Sequence, residues 1–552
     1  MIFLKKINRP SMLLNRTTAK TGSFYTVLTC ESNFYYTYWS MFKLKKVNLM
    51  RININGIQED RFQRPLGLIA NLFFEESEVA IGDTEHNADA AIDFEVKVVD
   101  GEISVKATLV EEDGKVFTAE ADKEIPAGLS DKEEFKLLKT VISRVYLKVL
   151  QDWTGMIQKW GILTGVRPTK LLHKKLREGM KQDEAHKELK EQYLISDEKI
   201  QLMQQIVDRQ LAVLPDLYDL KNGVSIYIGI PFCPTKCAYC TFPAYAINGR
   251  QGSVDSFLGG LHYEIRKIGE WLKKNDIKIT TVYYGGGTPT SITAEEMDML
   301  YEEVQQSFPD VENIREVTVE AGRPDTITPE KLEVLKKWNI DRISINPQSY
   351  IQETLKAIGR HHTVEETIEK FHLAREMGMN NINMDLIIGL PGEGTNEFAH
   401  TLAETEKLMP ESLTVHTLSF KRASEMTRNK QKYKVAGRDE IEKMMNMAES
   451  WTKEHDYVPY YLYRQKNILG NLENVGYAFP EQESLYNIII MEEQQTIIGL
   501  GCGASSKFID PETGVITQFS NPKDPKSYND SFEEYANKKI GILDSVFNKA
   551  TI

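Results

Sequence analysis

A chain of 552 residues is too long for one ordinary hydrophobic core and calls for two or three domains. Its 41% hydrophobic and 27% charged residues are those of a globular protein, and no apolar run is long enough to span a bilayer. A net charge of −13 argues against nucleic-acid partners, and five cysteines in so long a chain are no disulfide framework, which fits a reducing cytoplasm.

Residues 1–49 carry eight Lys and Arg against one acid, Glu31. They read as an upstream extension or a disordered tail; an ordered element around Tyr35, Tyr36 and Trp39 is the alternative. Residues 50–152 read as an α+β domain. A helix is expected over Leu66–Phe74 and strands over Phe94–Val98, Ile103–Leu109 and Val116–Ala121. Asp100-Gly101 and Asp113-Gly114 lie between those strands as hairpin signals, and the helical stretch Lys132–Gln151 closes a small meander. Residues 153–220 read as a helical linker interrupted at Gly165-Val166-Arg167-Pro168. Its mixed charges, Lys170, Lys174, Lys175 and Arg177 among acids, suit a solvated face, with a basic site for an acidic substrate as the alternative.

Residues 221–425 alternate short β-rich runs with helical periods. Strands are expected at Ser225–Gly229, Thr281–Tyr284, Glu316–Glu320, Arg342–Ile345, Asn383–Ile388 and Leu413–Leu418. Between the first two, Val254, Phe257, Leu258, Leu261, Ile265, Ile268 and Leu272 mark one buried helix face. The repeating unit predicts parallel strands covered by helices, a barrel or part of one, with active residues at the carboxyl ends of the strands. The cysteine loop follows the first strand, Gly285-Gly286-Gly287-Thr288-Pro289 the second, Glu320 ends the third and Gln348 follows the fourth. Asp385 lies within the fifth. Residues 426–552 read as a C-terminal domain covering the active site, with a helix over Arg438–Asp456 and an aromatic strand or core segment Tyr457–Arg464. A Gly-rich run, Ile497–Ser505, contains Cys502, read as a buried small residue.

The chemistry concentrates at Cys233-Pro234-Thr235-Lys236-Cys237-Ala238-Tyr239-Cys240. Three thiolates at C-x3-C-x2-C spacing suit an iron–sulfur cluster, and three ligands on a four-iron cube leave one iron open to a substrate or cofactor. Tetrahedral zinc wants a fourth Cys or His, and the next downstream, His262, falls in the predicted helix.

The stretch Tyr227-x-Gly229-Ile230-Pro231-Phe232-Cys233-x3-Cys237-x-Tyr239-Cys240 resembles the cluster loop of radical S-adenosylmethionine (SAM) enzymes, and most of all the oxygen-independent coproporphyrinogen III dehydrogenase group. The likeness runs from about Val224 to Ser505. It implies an α/β fold: a radical SAM partial (β/α)6 TIM-like barrel, with an N-terminal α+β domain and a C-terminal α/β extension. It implies a [4Fe–4S] cluster on Cys233, Cys237 and Cys240, and one SAM, or two, near Tyr227, Tyr239, Gly286, Gly287, Thr288, Glu320, Gln348, Arg360 and Asp385. Glu320 is expected to accept from the methionine amine, and Arg360 and Gln348 to hold carboxylate or ribose groups.

The implied reaction is oxidative decarboxylation of coproporphyrinogen III propionates to vinyls, giving protoporphyrinogen IX for haem biosynthesis. A 5′-deoxyadenosyl radical would take hydrogen from the propionate β-carbon, with electrons from a flavodoxin- or ferredoxin-like donor. Arg167, Lys236, Arg360 and Arg422 are candidate propionate partners. Two departures stand out: Phe242 replaces a fourth cysteine common in proven dehydrogenases, and Gly229 replaces a histidine. A haem-binding chaperone and another radical reaction on tetrapyrroles, such as anaerobic haem degradation, are the alternatives. The haem motif of the chaperones is missing, the nearest stretch being Tyr463-Arg464-Gln465-Lys466-Asn467.

Overall fold

The structure, a computed structural model, describes residues 49–82, 88–164, 167–247, 253–421 and 423–547. The expectation for the basic leader falls on residues 1–48, outside the described residues, as does Arg422.

Five strands form the first sheet: β1 (Met50–Asn55), β2 (Ser77–Ile81), β3 (Ala90–Val99), β4 (Glu102–Val110) and β5 (Val116–Glu124), in the order β2-β1-β3-β4-β5. Alternation buries Ile103, Val105, Ala107 and Leu109 of β4 against the helices Gln63–Ala70 and Asp131–Thr154, whose Val141, Val145, Tyr146 and Val149 complete one core. The β3–β4 turn takes Asp100 at φ 52° and Gly101 at φ 79°, the double left-handed conformation that Asp-Gly supplies at least strain. The meander is correct for β3 to β5 only. β1 runs parallel to both β2 and β3, and β2 escaped detection because a single residue of it, Val79, is buried.

Three helices follow, Thr169–Arg177, Gln182–Tyr193 and Asp197–Val213. Their Leu172, Leu189, Met203 and Val207 join the core of the main sheet. The expected solvated face is partly buried instead: Arg167 and Lys170 close on Glu493 together with Lys507, at 2.7 Å for the last.

The second sheet holds β6 (Val224–Ile230), β9 (Ile279–Gly286), β10 (Glu316–Val319), β11 (Arg342–Ser344), β12 (Ile382–Ile388), β13 (Ser412–Thr417), β14 (Val458–Tyr463), β15 (Asn474–Ala478), β16 (Thr496–Gly501), β17 (Ser505–Ile509) and β18 (Ile516–Ser520). The short β7 (Phe232–Cys233) and β8 (Tyr245–Ala246) pair separately. Its order is β14-β15-β13-β12-β11-β10-β9-β6-β16-β17-β18, parallel from β13 through β16 and open at both ends, a partial TIM-like barrel. Strands covered on both faces read as near-continuous apolar runs, and β6 buries Val224, Ile226, Ile228 and Ile230 on one face and Ser225 and Gly229 on the other. Covering helices start at Ser253, Thr293, Thr328 and Thr363, whose hydroxyls each accept the backbone N–H three residues on.

Residues beyond 425 extend both edges of this sheet. β15 adds antiparallel to β13 and β14 antiparallel to β15, and β16 lies parallel to β6. The final helix, Phe532–Phe547, inserts Lys539 against Glu264, both fully buried; Glu264 also accepts from Gly501 N at 2.7 Å and Tyr528 Oη at 2.8 Å. Among the described residues no helix is long and apolar enough to cross a membrane.

Candidate active site

Cys233 ends β7, and the loop after it is pinned from three sides. Ala238 N donates to Ile358 O (2.9 Å), Met426 N to Ala238 O (3.1 Å) and Thr235 Oγ1 to Gly359 O (3.0 Å). Cys233 is buried, Cys237 and Cys240 partly so, and all three are free thiols. Burial, and next to it the charge of Cys237 and Cys240, pushes the Cys233 thiol up to about 11 against a 3.3 Å contact with Thr288 Oγ1. Among the described residues no three His, Cys, Asp or Glu gather as they would around a single metal ion. A cube that takes one thiolate per iron does not require it.

The triple glycine presses on the cysteine strand. A Cβ on Gly287 would lie 2.5 Å from Phe232 O and 3.0 Å from Cys233 Sγ, and one on Gly286, at φ +112°, 2.8 Å from Ile230 O. Gly287 N and Thr288 N donate to Ile230 O and Phe232 O, each at 2.7 Å. The close approach that these glycines permit is made, at these atoms, by the protein's own backbone.

Tyr227, Tyr283 and Tyr486 stack in sequence, with 6.1 Å between the first two ring centroids and 4.3 Å between the last two. Tyr283 Oη donates to Glu320 at 2.6 Å. Burial, aided by the charge of Asp385, raises the Glu320 carboxyl to about 7. Asp385 goes the other way. Despite its burial, His416 at 3.6 Å and Asn383 at 2.8 Å hold it below the ordinary aspartate value, and Asn346 Nδ2 also donates to it at 2.8 Å. Two carboxyls on one rim are therefore pushed apart, one toward a protonated and one toward an ionised form. Gln348 sits at φ 66°, and its buried Oε1 has no partner. Backbone strain and an unsatisfied buried acceptor thus meet at one residue of the loop after β11.

Arg360 is buried and donates Nη1 to Asn346 O and Nη2 to Gly322 O, both at 2.7 Å, tying the loops after β10 and β11; its Nε has no partner. Tyr239 lies beside Cys237, its hydroxyl held protonated by burial first and that thiol second. Of the candidate propionate cations, Arg167 is occupied by Glu493 and Lys236 is exposed.

Sequence reasoning missed Arg323, which forks onto Asp325 (2.9 and 2.7 Å), donates to Thr235 Oγ1 at 3.0 Å and lies 4.0 Å from Cys237 Sγ. Its position three residues beyond Glu320, in Glu-Ala-Gly-Arg-Pro-Asp, was the available signal. It also missed His416 and the wholly buried His362, whose two ring nitrogens are unpartnered. At Gly229 a Cβ would meet Cys502 O at 3.3 Å and Ala504 Cβ at 3.4 Å, so the turn after β16 fills the space beside this residue. Cys502 is buried, as expected, with its thiol pushed up to about 12 by burial.

Three free thiols on one loop, an unpartnered Gln348 Oε1, an unpartnered Arg360 Nε and an acceptor at Glu320 give the rim the donor set that a thiolate-bound cluster and an amino-acid-bearing sulfonium need. Comparison with known proteins agrees. The family model described as the radical SAM superfamily matches residues 227–404. The oxygen-independent coproporphyrinogen-III oxidase-like protein HemZ of Bacillus subtilis is 69% identical over 502 residues, covering 91% of this chain and 99% of that protein. The heme chaperone HemW of the same organism is 34% identical over 194 residues, 35% of this chain and 50% of that one. The solved coproporphyrinogen III oxidase HemN from Escherichia coli, a radical SAM enzyme, matches 59% of this chain and 73% of its own at 20% identity and a TM-score of 0.47. Radical SAM proteins work with a [4Fe–4S] cluster and SAM, the cofactors of this chain. The chain belongs to the radical SAM superfamily, as an oxidoreductase of the oxygen-independent coproporphyrinogen-III oxidase-like HemZ family.

Proposed function

We propose that this enzyme decarboxylates two propionates of coproporphyrinogen III to vinyl groups without oxygen, giving protoporphyrinogen IX. The observation that carries the reading is the extent of the kinship. Identity of 69% to a coproporphyrinogen-III oxidase-like protein spans 91% of the chain, whereas the haem chaperone matches 35%. When bound, the cluster and SAM supply a carbon-centred radical able to take hydrogen from an unactivated C–H bond.

In this reading Cys233, Cys237 and Cys240 hold the cluster, and Arg323 fixes their loop through Thr235. Glu320 accepts from the amine of SAM, Gln348 Oε1 from a hydroxyl or amine, and Arg360 offers Nε after bracing two loops. Asp385, kept ionised by His416, and the Tyr227–Tyr283–Tyr486 stack line the rest of the rim, a dry aromatic wall that holds substrate and excludes water. Electrons come from a flavodoxin- or ferredoxin-like carrier, and the work takes place in the cytoplasm.

The shorter match to the haem chaperone, together with Phe242 in place of a fourth cysteine, favours haem binding as the second reading. The stretch nearest to a haem motif supports it poorly. Arg464 is buried and donates to Leu163 O and Asn471 O, and Asn467 sits in a left-handed turn. Anaerobic incubation with coproporphyrinogen III, dithionite and SAM, followed by mass spectrometry, tests the proposal. A divinyl product with loss of two CO2 is expected; tight haem binding with no porphyrinogen consumed overturns it.

A further inference from the structure

We infer that the basic face beside the cysteine loop, Lys421, Arg428, Lys430, Lys432 and Lys434 together with the ring of Phe242, docks an acidic one-electron carrier protein. This deepens the proposed function and rests on its reading of the three cysteines as the redox site.

In a chain of net charge −13, residues 421–434 carry Lys421, Arg422, Arg428, Lys430, Lys432 and Lys434 against Glu425 alone. The segment is attached to the cysteine loop itself. Met426 N donates to Ala238 O at 3.1 Å, and Met426 and Tyr433 pack with Ala238 in one cluster. Two residues past Cys240, Phe242 leaves 58% of its surface exposed, and Lys421 Nζ stands 5.8 Å from its ring centroid. Arg428, Lys430, Lys432 and Lys434 are exposed. Two of them meet acids, Lys430 with Glu76 at 3.1 Å and Lys432 with Glu425 at 3.5 Å, but both pairs are solvated and hold little charge back from a partner.

A local positive face on a negative molecule repels an acidic protein everywhere except here, so encounter is both steered and oriented. An exposed ring beside Lys421 supplies the small apolar centre that a transient redox complex uses. Because the segment is hydrogen-bonded to the loop that holds the thiols, a carrier seated on it approaches the redox centre by a short path. Each encounter oxidises the carrier by one electron, which enters the enzyme; no bond forms between the two proteins.

The test uses the anaerobic full-length holoenzyme and purified flavodoxin as probe. Binding is measured by calorimetry at about 50 mM and about 200 mM salt, where screening differs strongly. Charge reversal, Arg428→Glu with Lys434→Glu, is expected to weaken flavodoxin binding tenfold or more and to flatten its salt dependence, and Phe242→Ser to weaken it severalfold. SAM cleavage driven by dithionite should stay within twofold of the parent. Should reversal reduce iron content or helicity, Arg428→Gln with Lys434→Gln replaces it. Unchanged affinity and salt slope overturn the inference. So does a raised KM for porphyrinogen under dithionite, which would make the face a site for the anionic substrate. A parent protein that binds flavodoxin yet holds no iron would instead overturn the reading of the cysteines.

Discussion

Replacing Arg323 by methionine tests whether the cysteine loop depends on a buried ion pair. The guanidinium is buried, forks onto Asp325 at 2.9 and 2.7 Å and donates to Thr235 Oγ1 and Thr235 O at 3.0 and 3.3 Å. Removing one partner of a buried pair costs about 3–5 kcal/mol. Asp325 keeps 21% of its side chain exposed, and water there reduces the loss to roughly 2–3 kcal/mol. The abandoned Thr235 acceptors add about 1 kcal/mol. Asp325→Asn in the Arg323→Met background removes the stranded charge and should restore about 2 kcal/mol as a coupling term. Urea unfolding of parent, two singles and the double supplies that term. Anaerobic iron analysis reports the loop, with the Arg323→Met single variant expected to hold less than half the parent's iron. Burial opposes ionisation of Asp325, but Arg323 holds its carboxyl below the ordinary value. The pair's contribution is therefore present above the ordinary aspartate range and is lost as pH falls through the lowered value. Additivity of the two singles within about 0.5 kcal/mol would refute the argument.

Two further outcomes follow from the rim. Glu320 titrates at about 7 in the folded chain against an ordinary 4.5, so between those values the folded state keeps a proton that the unfolded state has released. Its contribution to stability should fall as pH rises from 4.5 to 7 and level off above; Glu320→Gln should remove that slope, and an identical pH profile in the variant counts against the assignment. Under the proposed role, SAM affinity rises through the same window in the parent and is flat in the variant. Gly287→Ala places a methyl 2.5 Å from Phe232 O, an overpacking worth about 1–3 kcal/mol. It should lower reconstituted iron while leaving the far-UV spectrum intact; full iron occupancy would show that the strand yields without disturbing Cys233.

The parallel strands were legible because burial on both faces leaves continuous apolar runs. β6, β9, β12 and β13 fall within two residues of expectation. The position of β16 was not: its partner β6 lies some 270 residues earlier, and pairing at that distance leaves no local mark in Ile497–Gly501. The cysteine spacing announced itself, since thiols at such intervals have few other uses. Arg360 shows the opposite difficulty. Its charge type is readable, but two of its nitrogens serve backbone carbonyls that only folding brings near. Arg323 and Asn346 were passed over for the same reason, their partners being set by loops converging from separate strands.

The pairing of β6 with β16 has a bearing on how the molecule is made. Thr496 opposes Val224, and Gly503 abuts Pro243 just behind the cysteines, where a Cβ would come within 2.5 Å of its ring. During translation at roughly 5–20 residues per second, the first barrel strand waits some tens of seconds for its outer neighbour. Until then it is a bare parallel edge, open to wrong partners. A chain halted before residue 496 therefore lacks the strand that covers this edge of β6.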